Sequence, residues 1–252
     1  MRSGNPALKD STFLDIGSGS VVSREGTMTL NGTIHRTATL LLLAFLTGAW
    51  SWSQTFAADG SIAPMASIYM WGGLIGGLVL ALVTIFKKTW SPVTAPLYAI
   101  AKGFALGAIS AIYNAQFDGI VLQALMLTGA ILLAMLMAYR SGLVKATENF
   151  KLGVAAATGG IMLVYLASIV LGLFGIRIPM IHESGMVGIG FSLFVVVIAS
   201  LNLVLDFDFI ESGVEQGAPK YMEWYGAFGL MVTLVWLYLE MLRLLAKLQS
   251  RD

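Results

Sequence analysis

The sequence predicts an all-α fold, a polytopic membrane helical bundle with seven transmembrane helices. Three observations predict it. Only 12% of the 252 residues are charged and 57% are apolar, whereas a water-soluble domain carries about 25% charged residues. The mean hydropathy is +0.81. Seven apolar stretches each reach the length of about 20 helical residues that crosses a hydrocarbon layer.

Residues 1–36 are polar, with Asn5-Pro6 and a Gly17-Ser18-Gly19-Ser20 run. No apolar core follows Met1 closely, so the first span is expected to be retained rather than cleaved as a signal peptide. This segment reads as a flexible N-terminal cytoplasmic arm, and residues 37–252 as the seven-helix domain. The first span runs from Thr37 to Phe56 and ends at a break holding Asp59, Gly60 and Pro64. The second, Ala66 to Phe86, stops at Lys87 and Lys88; the third, Ala95 to Tyr113, carries the cation Lys102. Asn114, Gln116, Asp118 and Gly119 separate it from the fourth, Ile120 to Tyr139. A polar segment with Arg140, Lys145, Glu148 and Lys151 leads to the fifth, Val154 to Phe174, which Arg177, Pro179, His182 and Glu183 follow. The sixth is Gly185 to Leu205. An acidic segment with Asp206, Asp208, Glu211 and Glu215 then leads through Gly217 and Pro219 to the last span, Tyr225 to Leu245.

Lys and Arg concentrate in alternate loops. With the N-terminus inside, ten fall in cytoplasmic segments, Lys87, Lys145 and Lys220 among them, against Arg177 and the C-terminal tail opposite. Positive charge is retained in the cytoplasm, so the N-terminus is read as cytoplasmic. Arg243, Lys247 and Arg251 pull mildly the other way and leave a partly re-entrant last helix as an alternative. Gly72, Gly73, Gly76 and Gly77 form two overlapping small-xxx-small pairs, and Gly103 with Gly107 another; such pairs let helices approach closely where lipid offers no hydrophobic drive.

A net charge of +1 argues against a nucleic-acid partner held by a broad basic surface. Without cysteine there is no thiolate metal site or cysteine nucleophile, and two histidines make no histidine-rich one. His182-Glu183 begins like a zinc-protease helix, but Met186 stands where the second histidine would be. Gly190-Phe191-Ser192 begins like a serine nucleophile turn, but Phe194 stands where the closing glycine would be. The chain is therefore not expected to be an enzyme, and no cofactor is expected.

The informative residues are carboxylates. Asn202 and Asp206 stand four apart, and Asp208, Glu211 and Glu215 continue at helical spacing. Glu240 lies inside the last span, where a charge at mid-bilayer costs about 3 kcal/mol or more, so it needs a partner. Arg243, one turn on, offers a local pair. Asp206, across a helix interface, offers a second carboxylate with which to share one proton. Lys102 can snorkel, pair or line a path.

These stretches resemble the transmembrane Bax inhibitor motif family, in its YccA-like bacterial branch. The likeness rests on Met1-Arg2-Ser3-Gly4-Asn5-Pro6, on Thr27-Met28-Thr29 with Arg36, and on Tyr113-Asn114-Ala115 through Gln123-Ala124-Leu125. It rests also on Leu203 through Ile210, with Asp206 and Asp208, and on Leu237-Tyr238-Leu239-Glu240-Met241-Leu242. The resemblance implies a bundle whose last helix is central, in the bacterial inner membrane. It implies a pH-sensitive leak for a cation, calcium as transported ion, gated by the carboxylates matching Asp206 and Glu240, with Asp208, Glu211, Lys102 and Arg243 as secondary candidates. The match departs in Glu240 for an aspartate, in Asp208 for an amide, in a longer link between the sixth and seventh spans, and in the lack of an arginine in the second span. Lys87, Lys88 or Lys102 would have to latch the pair in its place. The rival reading is a non-conducting regulatory protein that engages another membrane protein, such as a quality-control protease, through its N-terminal arm.

Overall fold

The computed structural model describes residues 26–175 and 185–250. Among these residues each expected span is one α-helix: α1 (Leu30–Ser53), α2 (Pro64–Phe86), α3 (Ser91–Gln116), α4 (Ile120–Arg140), α5 (Glu148–Leu173), α6 (Met186–Glu215) and α7 (Met222–Gln249). Six of them, α2 to α7, are long and apolar enough to cross a membrane. The first, α1, has the length, with 24 residues, but spends its opening turns on Asn31, His35 and Arg36. Arg177, Pro179, His182, Glu183 and Arg251, and all of the arm before residue 26, lie outside the described residues.

Local chemistry sets the helix starts. Thr29 caps α1, its Oγ1 accepting from the Gly32 N–H at 3.0 Å, so the helix begins within the segment expected to be a flexible arm. Thr147 caps α5 in the same way, accepting from Phe150 N–H at 3.3 Å, with Glu148 favourably placed in the first turn. Pro64 occupies the first turn of α2, where its missing N–H costs nothing. In the α1–α2 link Ser61 donates from both N–H and Oγ to Asp59, which holds that carboxyl below the usual range.

One boundary differs materially. Asp206, Asp208, Glu211 and Glu215 are not a break after the sixth span; they lie inside α6, which runs 30 residues. From Met186 onward the first positive φ is that of Gly217, at +65°, so nothing stops the helix sooner. The α6–α7 link, expected to be long, shrinks to residues 216–221.

The described residues form two compact units. One holds 26–118 and 209–232, the other 119–208 and 233–250; α6 and α7 run through both. In the first, α3 packs against α1 and α2. A Cβ on Gly107 would run into the Gly48 carbonyl, and one on Gly103 into Thr47 and the Ala44 carbonyl. On α2 only one of the two overlapping pairs makes contact: Gly73 faces Ala101 and Ala105, and Gly77 faces the Lys102 stem, whereas Gly72 and Gly76 have nothing within 4 Å. Trp50, Tyr69 and Phe104 close the α1–α2–α3 junction with ring centroids 5.3 to 6.0 Å apart.

Elsewhere α4 exposes Leu122, Met126, Leu133 and Met137 along one stripe, and α5 exposes Leu163, Leu166 and Ile169. Large exposed apolar stripes in a chain of this composition face lipid. Helix α7 is the opposite case: 72% of its apolar stretch is buried, against 17% for α2, α4 and α5. It is the buried helix of this membrane protein.

Candidate functional site

The polar seam of the second unit starts on α5, where Lys151, Thr158 and Tyr165 recur every seven residues and so share one helix face. Each meets a polar partner. Lys151, 5% exposed, places Nζ 2.9 Å from Asp208 Oδ2 and 3.6 Å from Glu148 Oε1. Thr158 Oγ1 accepts from Asn202 Nδ2 at 2.8 Å, and the same amide donates to the Ile198 carbonyl at 2.9 Å. Tyr165 OH donates to Glu240 Oε1 at 2.8 Å. Arg243 NH1 donates to the same oxygen at 2.6 Å and to the Tyr165 hydroxyl oxygen at 2.7 Å, and its guanidinium lies 5.1 Å from the Tyr165 ring centre. Ile161, Val195 and Ile198, with Phe191 and Trp236 against them, fill the space around this seam.

Glu240 and Asp206 are 2% and 0% exposed. A buried charge is tolerable when paired and hydrogen-bonded, and Arg243 with Tyr165 supplies this for Glu240 Oε1. Oε2 of Glu240 and Oδ1 of Asn202 are buried without a hydrogen-bond partner. The local pair of Glu240 with Arg243 is thus present, whereas Lys102, one of the sequence candidates for a latching cation, lies in the other unit.

Within this unit α7 runs antiparallel to α6. Lys247, near the end of α7, donates from Nζ to the Gly188 carbonyl and to Ser192 Oγ, each at 2.9 Å, while Trp236 packs against Val195 and Ile198. That register sets Glu240 beside the early turns of α6 and Asp206 about two to three helical turns further along. The two carboxylates therefore sit at different levels of one seam. Asp206 lies nine residues before the end of α6 at Glu215, whereas Glu240 lies 18 residues into α7 from Met222.

The secondary candidates separate. Asp208 is tied to Lys151. Glu211 is exposed at the end of α6. Lys102, in the other unit, lies 5.8 Å from the Tyr98 ring centre with its stem over Gly77. Among the described residues no group of three His, Asp or Glu side chains is arranged to hold a metal ion.

Sequence reasoning missed Tyr165, Lys151, Lys247 and Glu223. Glu223, 1% exposed in the first turn of α7, accepts from Thr29 N–H and Oγ1 at 3.1 and 2.8 Å and pairs with Lys220 at 2.9 Å. The seven-residue polar repeat on α5 was the signal for Lys151 and Tyr165, and the Lys220–Glu223 spacing the signal for Glu223.

A buried last helix, lipid-facing stripes on its neighbours and a seam of paired ions define a polytopic α-helical membrane protein with ionisable groups held inside it. The Bax inhibitor 1 like family model matches residues 5–250, and the chain belongs to that family. No curated protein sequence matches the chain.

Proposed function

We propose that this protein is a pH-sensitive cation leak of the bacterial inner membrane, passing calcium, with a cytoplasmic N-terminus and Asp206 and Glu240 as its proton-sensitive carboxylates. The observation that carries the reading is the burial of these two acids on α6 and α7, inside an apolar bundle where a carboxylate is costly. Membership of the family supports it. Oxygen donors suit a hard cation, and the buried oxygens of Glu240 and Asn202 without hydrogen-bond partners are groups that a passing ion or its water can satisfy. Protonation of the two acids closes the seam; their ionisation as pH rises draws water and cations between α5, α6 and α7. The separation of the two acids along the seam makes them successive sites on a path rather than one shared-proton pair. No enzymatic role and no resident cofactor are proposed.

Calcium flux into liposomes holding the purified protein tests this. Flux above that of empty liposomes, rising with pH, is expected, and Asp206→Asn and Glu240→Gln should each remove most of the pH dependence while the fold survives. Flux with an unchanged pH profile in both variants discards the sensor. Wild-type liposomes no leakier than empty ones discard the channel and leave the second reading, a non-conducting regulator of another membrane protein, such as a membrane protease. That reading is favoured by one observation: the chain entering α1 is bonded to the α6–α7 link, with Met28 N–H donating to the Ala218 carbonyl at 2.7 Å.

A further inference from the structure

The residues just ahead of α1 do more than connect. Thr27 forms an antiparallel bridge with Pro219, Met28 N–H donates to Ala218 O at 2.7 Å, and Lys220 N–H donates to Gly26 O at 2.9 Å. The chain therefore adds a short strand-like stitch to the α6–α7 link. Glu223 then fastens it from the other side. Its Oε1 takes three donors, Thr29 N–H at 3.1 Å, Thr29 Oγ1 at 2.8 Å and Lys220 Nζ at 2.9 Å. Its carboxylate occupies the space where a Cβ on Gly32 would stand, so the first turn of α1 closes over it. Arg36, 3.9 Å from Oε2, lies 4.8 Å from the ring centre of Trp224. A carboxylate 1% exposed gathers the entrance of α1, the link and the start of α7 into one knot.

We propose that residues 26–29 form a clasp on the α6–α7 link, latched by Glu223, through which the polar segment ahead of α1 sets the position of α7. The latch is specific: one side chain, in the first turn of α7, holds both the cap residue of α1 and the lysine of the link. A load on the N-terminal segment reaches Gly26 first, whose carbonyl accepts from Lys220, and then Met28 and Thr29, whose bonds end on Ala218 and Glu223. α7 is continuous from Glu223 to Glu240, so the hold on its first turn bears on the helix that carries the buried acid. The effect on ion passage rests on the leak reading above; the clasp itself does not.

Hydrogen exchange on the full chain in lipid nanodiscs tests the clasp without any flux. Glu223→Ala is expected to speed exchange by about tenfold at the amides of Met28 and Lys220 and along the first two turns of α7, with α5 unchanged. Thr27→Cys with Pro219→Cys, in a chain without native cysteine, places thiols on bridged residues; oxidation on the Glu223→Ala background should return α7 to slow exchange, and reduction should release it. Faster exchange confined to residues 26–29, or an α7 that oxidation does not restore, overturns the proposal. Thr29→Val keeps the carboxylate and its Lys220 pair and covers the case in which Glu223→Ala fails to fold: faster exchange at the same α7 amides supports the clasp, and no change there overturns it. Calcium flux of the oxidised and reduced double-cysteine protein forms a separate arm. Flux that falls on oxidation ties the clasp to the leak, while no flux in either state removes the leak reading and leaves the exchange result to decide the clasp.

Discussion

Tyr165 and Glu240, 75 positions apart in sequence, meet through a single hydrogen bond of 2.8 Å that joins α5 to α7. Arg243 closes the triangle, donating to both. The arrangement explains how a carboxylate persists inside a buried helix: its charge is matched one turn away and its Oε1 is satisfied from the neighbouring helix.

Removing Arg243 should therefore cost more than losing one surface ion. Its side chain is 36% exposed against 3% for Glu240, so the pair is partly screened, and Arg243→Met is expected to destabilise the fold by about 2 kcal/mol. The double variant Arg243→Met with Glu240→Gln should recover most of that loss, because no unmatched charge is left inside. Reversible unfolding in mixed micelles measures the cycle.

Lys247 and Ser192 give the opposite asymmetry. Lys247→Met keeps the apolar stem and removes the buried ammonium, and is expected to change stability by less than about 1 kcal/mol. Ser192→Ala leaves the ammonium in place with one acceptor fewer and should cost about 1 to 2 kcal/mol. The same unfolding measurement ranks the two, and the reverse order would contradict the geometry.

The glycines of the other unit should divide by contact, not by motif. Gly107→Ala puts a methyl against the Gly48 backbone, which cannot move as a side chain end can, and should cost about 1 to 3 kcal/mol. Gly76→Ala enters open space and should be neutral or stabilise slightly through helix propensity. Thermal unfolding of both proteins in the same detergent checks the contrast.

Orientation is tested on a chain that has no cysteine of its own. An impermeant thiol reagent added outside intact cells should label Gly60→Cys in the α1–α2 link strongly and leave Lys145→Cys in the α4–α5 link untouched. Both sites are exposed, so accessibility rather than burial decides the result, and labelling at Lys145→Cys would invert the topology.

Much of the fold was legible because the signal is physical and local. Twenty or so apolar residues between polar breaks mark a span whatever it packs against, and the starts and ends of α2 and α4 follow directly. The reading failed where polar residues continue a helix. Asp206 through Glu215 look like a break by composition, yet they stand at helical spacing, nothing in the backbone prevents them from extending α6, and Lys151 of α5 pairs with Asp208. It also failed where a periodic pattern does not say which face is inward, as with Gly72 and Gly76. Glu240 and Arg243 were legible as a pair from spacing alone. Tyr165 was harder to see, since it sits in an apolar run and its partner is a helix 75 residues away; for Glu223 the local pair with Lys220 shows in the spacing, but its bond to Thr29 exists only once the chain has folded back.

The 30 residues of α6 also set a length. At a rise of about 1.5 Å per residue the helix is roughly 45 Å long, well beyond the roughly 30 Å of hydrocarbon that a bilayer offers. The excess must be taken up by leaning or by standing proud of the membrane, and Glu211 and Glu215 mark the end that stands proud. A thicker bilayer draws the helix upright and a thinner one lays it over. The lipid composition around this protein thereby acts on the inclination of the helix that carries Asp206, making membrane thickness a variable to which its buried acid is mechanically exposed.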